Sequence, residues 1–377
     1  MKKIVVAVDS FKGSLSSMAI ADAVEEGIHS ISPDCEVIKL PIADGGEGTV
    51  EAMVNATSGE FITATVANPF MQPVKARYGI LGDKKTAVIE MAAASGLNLI
   101  PFSWGNVMNT TTYGTGELIV DAIRRGCRQF MLGIGGSATN DAGLGMLQAL
   151  GYRFLDQERK ELGQGGIMLE KVMHIEEKYV LPEFKECCFQ IATDVQNPFC
   201  GPNGAAFVFA AQKGGTPSDI IQLDKGMRHF SNILLSKGID IASIPGTGAG
   251  GGMAGGCLPF LNAKLVSGIE MIKEYLHFDD LIKDADLVIT GEGKMDKQTL
   301  EGKTPWGVAQ SAIKKQIPVI ALTAVLEEDI HTFINAGFSG IYLIHPADTP
   351  IEKAMLPEYT YSNVKKTIEN ILPMILS

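Results

Sequence analysis

The two ends of this chain follow one alternating pattern. Residues 3–8 read as a buried strand around the short apolar run Ile4–Val8. Ser16 or Ser17 can cap a helix reaching about residue 28, with Ile20, Val24 and Ile28 on one face. A second strand is expected over 35–40 and a helix over 48–56. The far end repeats the order. "DLVIT" at 286–290 reads as a strand, 305–313 as a helix with proline in its first turn, "IPVIALTA" as a strand, 328–336 as a helix, "GIYLI" as a strand and 363–372 as a last helix. Strands alternating with helices pair in parallel and place helices on both faces of a doubly wound α/β sheet.

The middle differs. From about residue 61 to 283 there are more strand-like pieces, "FITATV", "KARYGIL", "TAVIEM", "CFQIAT" and "AAFVFA", and far more glycine. At 377 residues the chain is long for one core. The expected architecture is therefore two α/β domains. A flavodoxin/Rossmann-like parallel-sheet domain is built from 1–60 plus 284–377, a mixed α/β domain of 61–283 is inserted in it, and the active site is expected in the cleft between them.

Composition removes several classes of function. The formal net charge is −11 with no basic block, which makes nucleic acid a poor partner. No apolar stretch approaches the ~18 residues of a membrane span, and the N-terminal run ends at Asp9, too early for a signal peptide. The six cysteines form no CxxC pair, so neither a zinc site nor a disulfide framework is suggested, and reduced thiols in a cytoplasmic protein are expected. There is no HExxH and no G-x-S-x-G, and the six histidines lie outside the polar loops.

The polar loops concentrate the chemistry. "GIGGSATNDAGLG" is a strand-to-helix turn with bare backbone at Gly135 and Gly136 and polar groups on Ser137, Thr139 and Asn140. It reads as a phosphate cradle, because an ordinary helix cap needs one polar residue and fewer glycines. The run 246–256, including Gly248, Gly250 and Gly251, reads equally as ligand-facing backbone or as a mobile linker. Both stretches match the dinucleotide pattern loosely, which keeps open an NAD(P)-dependent 2-hydroxyacid dehydrogenase. A non-catalytic sensor of a small acid or nucleotide is the third reading. "EGKTP" lacks the first glycine of a P-loop, since Lys297 stands at that position, yet Lys303 can still reach an anion. Asp9, Asp44, Asp194, Glu292 and Asp296 each follow an expected strand, at the edge where α/β sheets bind ligands. Acids around an anion call for magnesium between them, and Lys12 and Lys303 can supply further positive charge.

Five motifs taken together, "VVAVDSFKGSLS", "PIADGGEGT", "GIGGSATNDAGLG", "TDVQNPFCGPNGAA" and "DLVITGEGKMDKQTLEGKTPWGVA", resemble the bacterial glycerate kinases often called type I, in order and over essentially the whole chain. The resemblance implies ATP- and Mg²⁺-dependent phosphorylation of D-glycerate, with 2-phosphoglycerate favoured as product. Typical members carry proline before the first aspartate, where this chain has Val8. The roles assigned from chemistry are as follows. Asp194 is the first choice as base or metal ligand, and Asp9, Lys12 and Lys303 join it as catalytic groups. Ser10, Asp44, Gly45, Glu47, Asn197 and Asp296 bind substrate. Gly135, Gly136, Ser137, Asn140, Gly248, Gly250, Gly251 and Glu292 hold the nucleotide, and Asp296 is the second metal ligand. A homodimer is compatible with the sequence.

Overall fold

The computed structural model describes residues 2–100 and 107–376. The chain separates into two compact units. The first comprises Met1–Asp44, Glu51–Ala56 and Ser267–Ser377, and the second Gly45–Val50 and Thr57–Val266. In chain order the strands are β1 (Lys3–Val8), β2 (Glu36–Lys39), β3 (Glu60–Ala67), β4 (Pro73–Ile80), β5 (Thr86–Glu90), β6 (Gln129–Gly133), β7 (Arg153–Leu155), β8 (His174–Glu176), β9 (Cys188–Ala192), β10 (Ala263–Val266), β11 (Leu287–Met295), β12 (Val319–Leu326) and β13 (Gly340–Leu343).

The first unit is built on a parallel sheet of order β13-β12-β11-β1-β2. Counted within this unit, that is the 2-1-3-4-5 order of flavodoxin-like folds. The direction of winding reverses between β1 and β11, and a crevice opens there at the strands' carboxyl ends. In a one-sided sheet, alternate side chains of β1 would face water. Here Ile4, Val5, Val6, Ala7 and Val8 are all buried, because helices cover both faces. The helix Ser17–Ile31 starts where Ser16 accepts the amide of Ala19 at 3.3 Å. It lies so close to the helix Pro357–Leu376 that a Cβ on Gly27 would come within 2.8 Å of the Lys365 carbonyl. Ile20, Val24 and Ile28 on the first helix share a core with Val364, Ile368 and Ile371 on the second.

Strand β11 is longer than "DLVIT". It continues to Met295 because Glu292, Lys294 and Met295 keep pairing with Thr323, Val325 and Leu326 of β12. Glu292 therefore sits within the strand rather than after it.

The second unit carries a six-stranded sheet of order β10-β9-β6-β5-β4-β3, parallel from β10 to β5 and antiparallel from β5 to β3. β7 and β8 form a separate antiparallel pair. The segment "AAFVFA", expected as a strand, is instead the helix Ala205–Phe209. It is uniformly apolar, and such a run carries no period that separates a strand from a buried helix. The turn before it decides: Val208 donates to the Gly204 carbonyl at 3.1 Å. The helix after "GGSATN" also begins later than Asp141, at Leu144, because Ala142 (φ 53°) and Gly143 (φ 76°) are left-handed. Among the described residues no helix is long and apolar enough to cross a membrane.

Candidate active site

The crevice at the β1/β11 switch point is a cavity of about 370 Å³ within the first unit. Asp9, Ser10, Lys12, Asp44, Glu292, Asp296 and Lys303 all line it, as do apolar groups of Val325, Ile351 and Met355. β1 delivers Asp9 to the cavity, since the Asp9 amide donates to the Gly291 carbonyl at 2.9 Å and extends the ladder by one residue. The chain then makes a tight turn. The Phe11 amide donates to the Leu15 carbonyl at 2.9 Å, and the Leu15 amide to the Phe11 carbonyl at 3.0 Å. Gly13 closes this turn at φ +81°, where any added Cβ would also lie 2.5 Å from Met355 Cε. Lys12 is thereby held at the tip, with Nζ 3.1 Å from Asp44 Oδ2.

Asp9 is only 4% exposed. Burial, with Asp44 adding repulsion, pushes its carboxyl up to about 7, against the opposing pull of Lys12 and the bonds from Ser10 and Thr304. Those bonds fix its orientation. The Ser10 amide donates to Oδ1 at 2.6 Å, and Thr304 Oγ1 donates to Oδ2 at 3.0 Å from the first turn of the helix Thr304–Lys314. For Lys12, burial pulls the ammonium down, but Asp44, Asp9 and Glu292 more than offset it and hold the group above its usual value.

Thr299 joins the Glu292 carboxylate to the Asp296 backbone. Asp296 donates its amide to Thr299 Oγ1 at 3.0 Å, and Thr299 donates its hydroxyl to Glu292 Oε1 at 2.5 Å. Burial raises Glu292 above the usual carboxylate range, with Thr299 and Lys303 opposing. Burial also pushes Asp296 up, but Lys303 at 3.3 Å from Oδ1 and the neighbouring Lys294 bring it below its usual value. The cavity thus holds one carboxyl poised to exchange a proton near neutrality beside further carboxyl groups and lysines.

Four acidic side chains, Asp9, Asp44, Glu292 and Asp296, line this cavity. The donor set fits magnesium, since Asp9, Asp44, Glu292 and Asp296 offer hard oxygens only. Among the described residues no three or more His, Cys, Asp or Glu side chains gather as a closed metal group. Magnesium does not need one, because it takes one or two carboxylates and completes its shell with phosphate oxygens and water.

The remaining expected site residues lie in the second unit. Gly45 is buried with its carbonyl against Gly133, where a Cβ would come within 2.3 Å, while Glu47 is exposed. Gly135 and Gly136 are exposed beside Ser137, which is 7% exposed. Asn140 is fully buried and directs Nδ2 at Met227 Sδ, 3.2 Å away. Asp194 is exposed in the loop after β9. Asn197 braces that loop, with Nδ2 donating to the Asn203 carbonyl at 2.9 Å and its own carbonyl accepting the Gly248 amide at 3.0 Å. The glycine run is no mobile linker. Gly248 and Gly251 are buried and Gly250 half-buried, and a Cβ on Gly251 or Gly256 would lie 2.0 Å from the Thr139 carbonyl or 1.7 Å from that of Ala142. These glycines let two backbones touch.

Sequence reasoning missed Thr304 and Lys213. Thr304 follows Lys303 in "EGKTP", where the lysine carries the more obvious chemistry. Lys213 stands in "AAFVFAAQKGG", the first charge after an apolar run, and that isolation was its one signal.

An acid-and-lysine site at the switch point of a doubly wound sheet is the equipment of a phosphoryl-transfer enzyme. Comparison with known proteins makes this specific: the chain belongs to the glycerate kinase family, whose model matches residues 4–376. Curated relatives include a glycerate kinase of Haemophilus influenzae, 46% identical over 91% of each chain, and the glycerate 2-kinase of Escherichia coli K12, 42% identical over 98% of this chain and 97% of that one. A crystal structure from Salmonella typhimurium LT2, provisionally described as glycerate kinase 2, superposes with a TM-score of 0.91 at 41% identity, covering 100% of this chain and 98% of the other.

Proposed function

We infer that this chain is an ATP-dependent glycerate kinase, acting on D-glycerate and favouring the 2-hydroxyl. The observation that carries the reading is the Asp9 carboxyl, buried, pushed up to about 7 and flanked by Lys12 and Asp44 in the switch-point cavity of a family member. A glycerate hydroxyl attacks the γ-phosphorus in line. The new O–P bond forms as the bond to the β,γ-bridging oxygen breaks, and ADP leaves with that electron pair. Asp9 accepts the hydroxyl proton, held toward it by Ser10 and Thr304. Lys12 and Lys303 bind the glycerate carboxylate and the transferring phosphoryl oxygens, with Ser10 and Asp44 completing the contacts. Asp9 takes the base role first assigned to Asp194, because Asp9 is the buried carboxyl of the cavity while Asp194 is exposed in a loop of the second unit. Asp194 and Asn197 remain proposed ligand contacts of the second unit, together with the turn of Gly135, Gly136 and Ser137 for nucleotide phosphates. Glu292 and Asp296 would hold magnesium, which when bound neutralises phosphate charge.

The dehydrogenase reading loses support at both matches, because no strand leads into Gly246 and the turn after β6 does not open directly into a helix, which begins only at Leu144. The test is a coupled assay for ADP with ATP and D-glycerate, followed by phosphorus NMR of the product. Glycerate-dependent ADP formation with a 2-phospho signal supports the reading. A 3-phospho product would overturn the regiochemistry, and an unchanged ADP rate on adding glycerate would overturn the activity.

A further inference from the structure

Lys213, 6% exposed in the second unit, belongs to none of the roles above. Its Nζ donates to Ser137 Oγ and to the Thr139 carbonyl, each at 2.7 Å. An ammonium is costly to bury without a partner charge. The charge that faces it is Asp141, also fully buried, but the Asp141 carboxylate already accepts from the amide and hydroxyl of Thr112 and from the amides of Gly143 and Gly145. Burial accordingly pulls Lys213 down to about 7 despite Asp141. Its ammonium is under-compensated, in a loop whose Gly135 and Gly136 are exposed. The same loop also buries Thr139 Oγ1 and Asn140 Oδ1 without a hydrogen-bond partner. Its polar groups exceed what its own folding uses.

The direction of the Ser137 bond matters. An ammonium only donates. Ser137 Oγ is therefore the acceptor, and its own proton points away from Lys213. We propose that Lys213 is a positioning residue, which through Ser137 orients a hydroxyl donor for a nucleotide phosphate at the turn of Gly135, Gly136 and Ser137. This rests on the reading above that the turn meets nucleotide phosphates.

The test is steady-state kinetics of the full chain with ATP varied, for Ser137→Ala, Lys213→Met and the double variant, each checked by circular dichroism. Loss of a charge-assisted contact to phosphate corresponds to about tenfold in affinity. Each single variant is expected to raise KM for ATP about tenfold with KM for glycerate unchanged, and the double variant to match the singles, since both changes break one chain of contacts. If Lys213→Met does not fold, Lys213→Gln, which keeps an N–H without the charge, takes its place. A double variant raised about a hundredfold, as two independent losses would multiply, overturns the proposal. So does a Lys213 variant with unchanged KM for ATP while Ser137→Ala raises it, and in that case the phosphate reading of the turn survives. An unchanged KM in Ser137→Ala removes the phosphate reading itself, and the proposal with it.

Discussion

Replacing Asp9 by asparagine should make the protein more stable and far less active. A carboxyl whose folded pKa exceeds its unfolded value binds more protons in the folded state between the two. Its contribution to stability is then complete below the ordinary 3.8 and is lost as pH rises toward about 7. That interval, at 1.36 kcal/mol per pH unit, amounts to about 4 kcal/mol of destabilisation above neutrality. Asparagine mimics the neutral carboxyl. Its oxygen can still accept the Ser10 amide, and the Thr304 hydroxyl can reverse to accept from its NH₂. Urea melts of Asp9→Asn and the parent should therefore diverge with pH, the variant's advantage growing from about pH 4 to 7 and levelling off near ~4 kcal/mol by about pH 8. Over the same range kcat should fall by ~10²-fold or more, the usual loss for a general base. A variant no more stable than the parent at pH 8 would show that Asp9 is not held protonated by burial, and near-normal turnover would remove it as the base.

Four other outcomes follow. Thr304→Val removes a donor to the Asp9 carboxylate and should move the acid limb of the pH–rate profile upward by roughly half a pH unit to one, read from kcat/KM between about pH 5 and 9. Lys12→Met removes a charge that pulls the Asp9 carboxyl down, and should move the acid limb of the pH–rate profile upward while raising KM for glycerate about tenfold. Gly256→Ala places a Cβ 1.7 Å from the Ala142 carbonyl and should cost more than about 3 kcal/mol in urea melts. Chelation by EDTA should abolish turnover and added magnesium restore it, with circular dichroism unchanged.

The fold of the first unit was legible because its strands are short apolar runs spaced by amphipathic helices, and parallel pairing follows from that spacing alone. Strand order also positions Asp9 and Glu292 together: once β1 and β11 are neighbours, the residues after Val8 and Gly291 must share an edge. Less was legible where local pattern carries no period. "AAFVFA" is apolar throughout and became a helix, and the left-handed backbone at Ala142 and Gly143 delayed a helix that composition placed earlier. The glycines of 246–256 looked like freedom because sequence does not show what they touch. In the structure they meet carbonyls at 139, 142 and 198. Lys213 and Ser137 lie 76 residues apart, and no local window joins them.

In the proposed reaction Asp9 carries the reacting proton from within the switch-point cavity, and the pH dependence of kcat/KM reads that ionisation. The parent enzyme should lose activity as pH falls through about 7, with the limb following a single ionisation. In Asp9→Asn the residual rate should be flat across that range. A limb near 7 that persists in the asparagine variant would assign the proton to another group and contradict that role for Asp9.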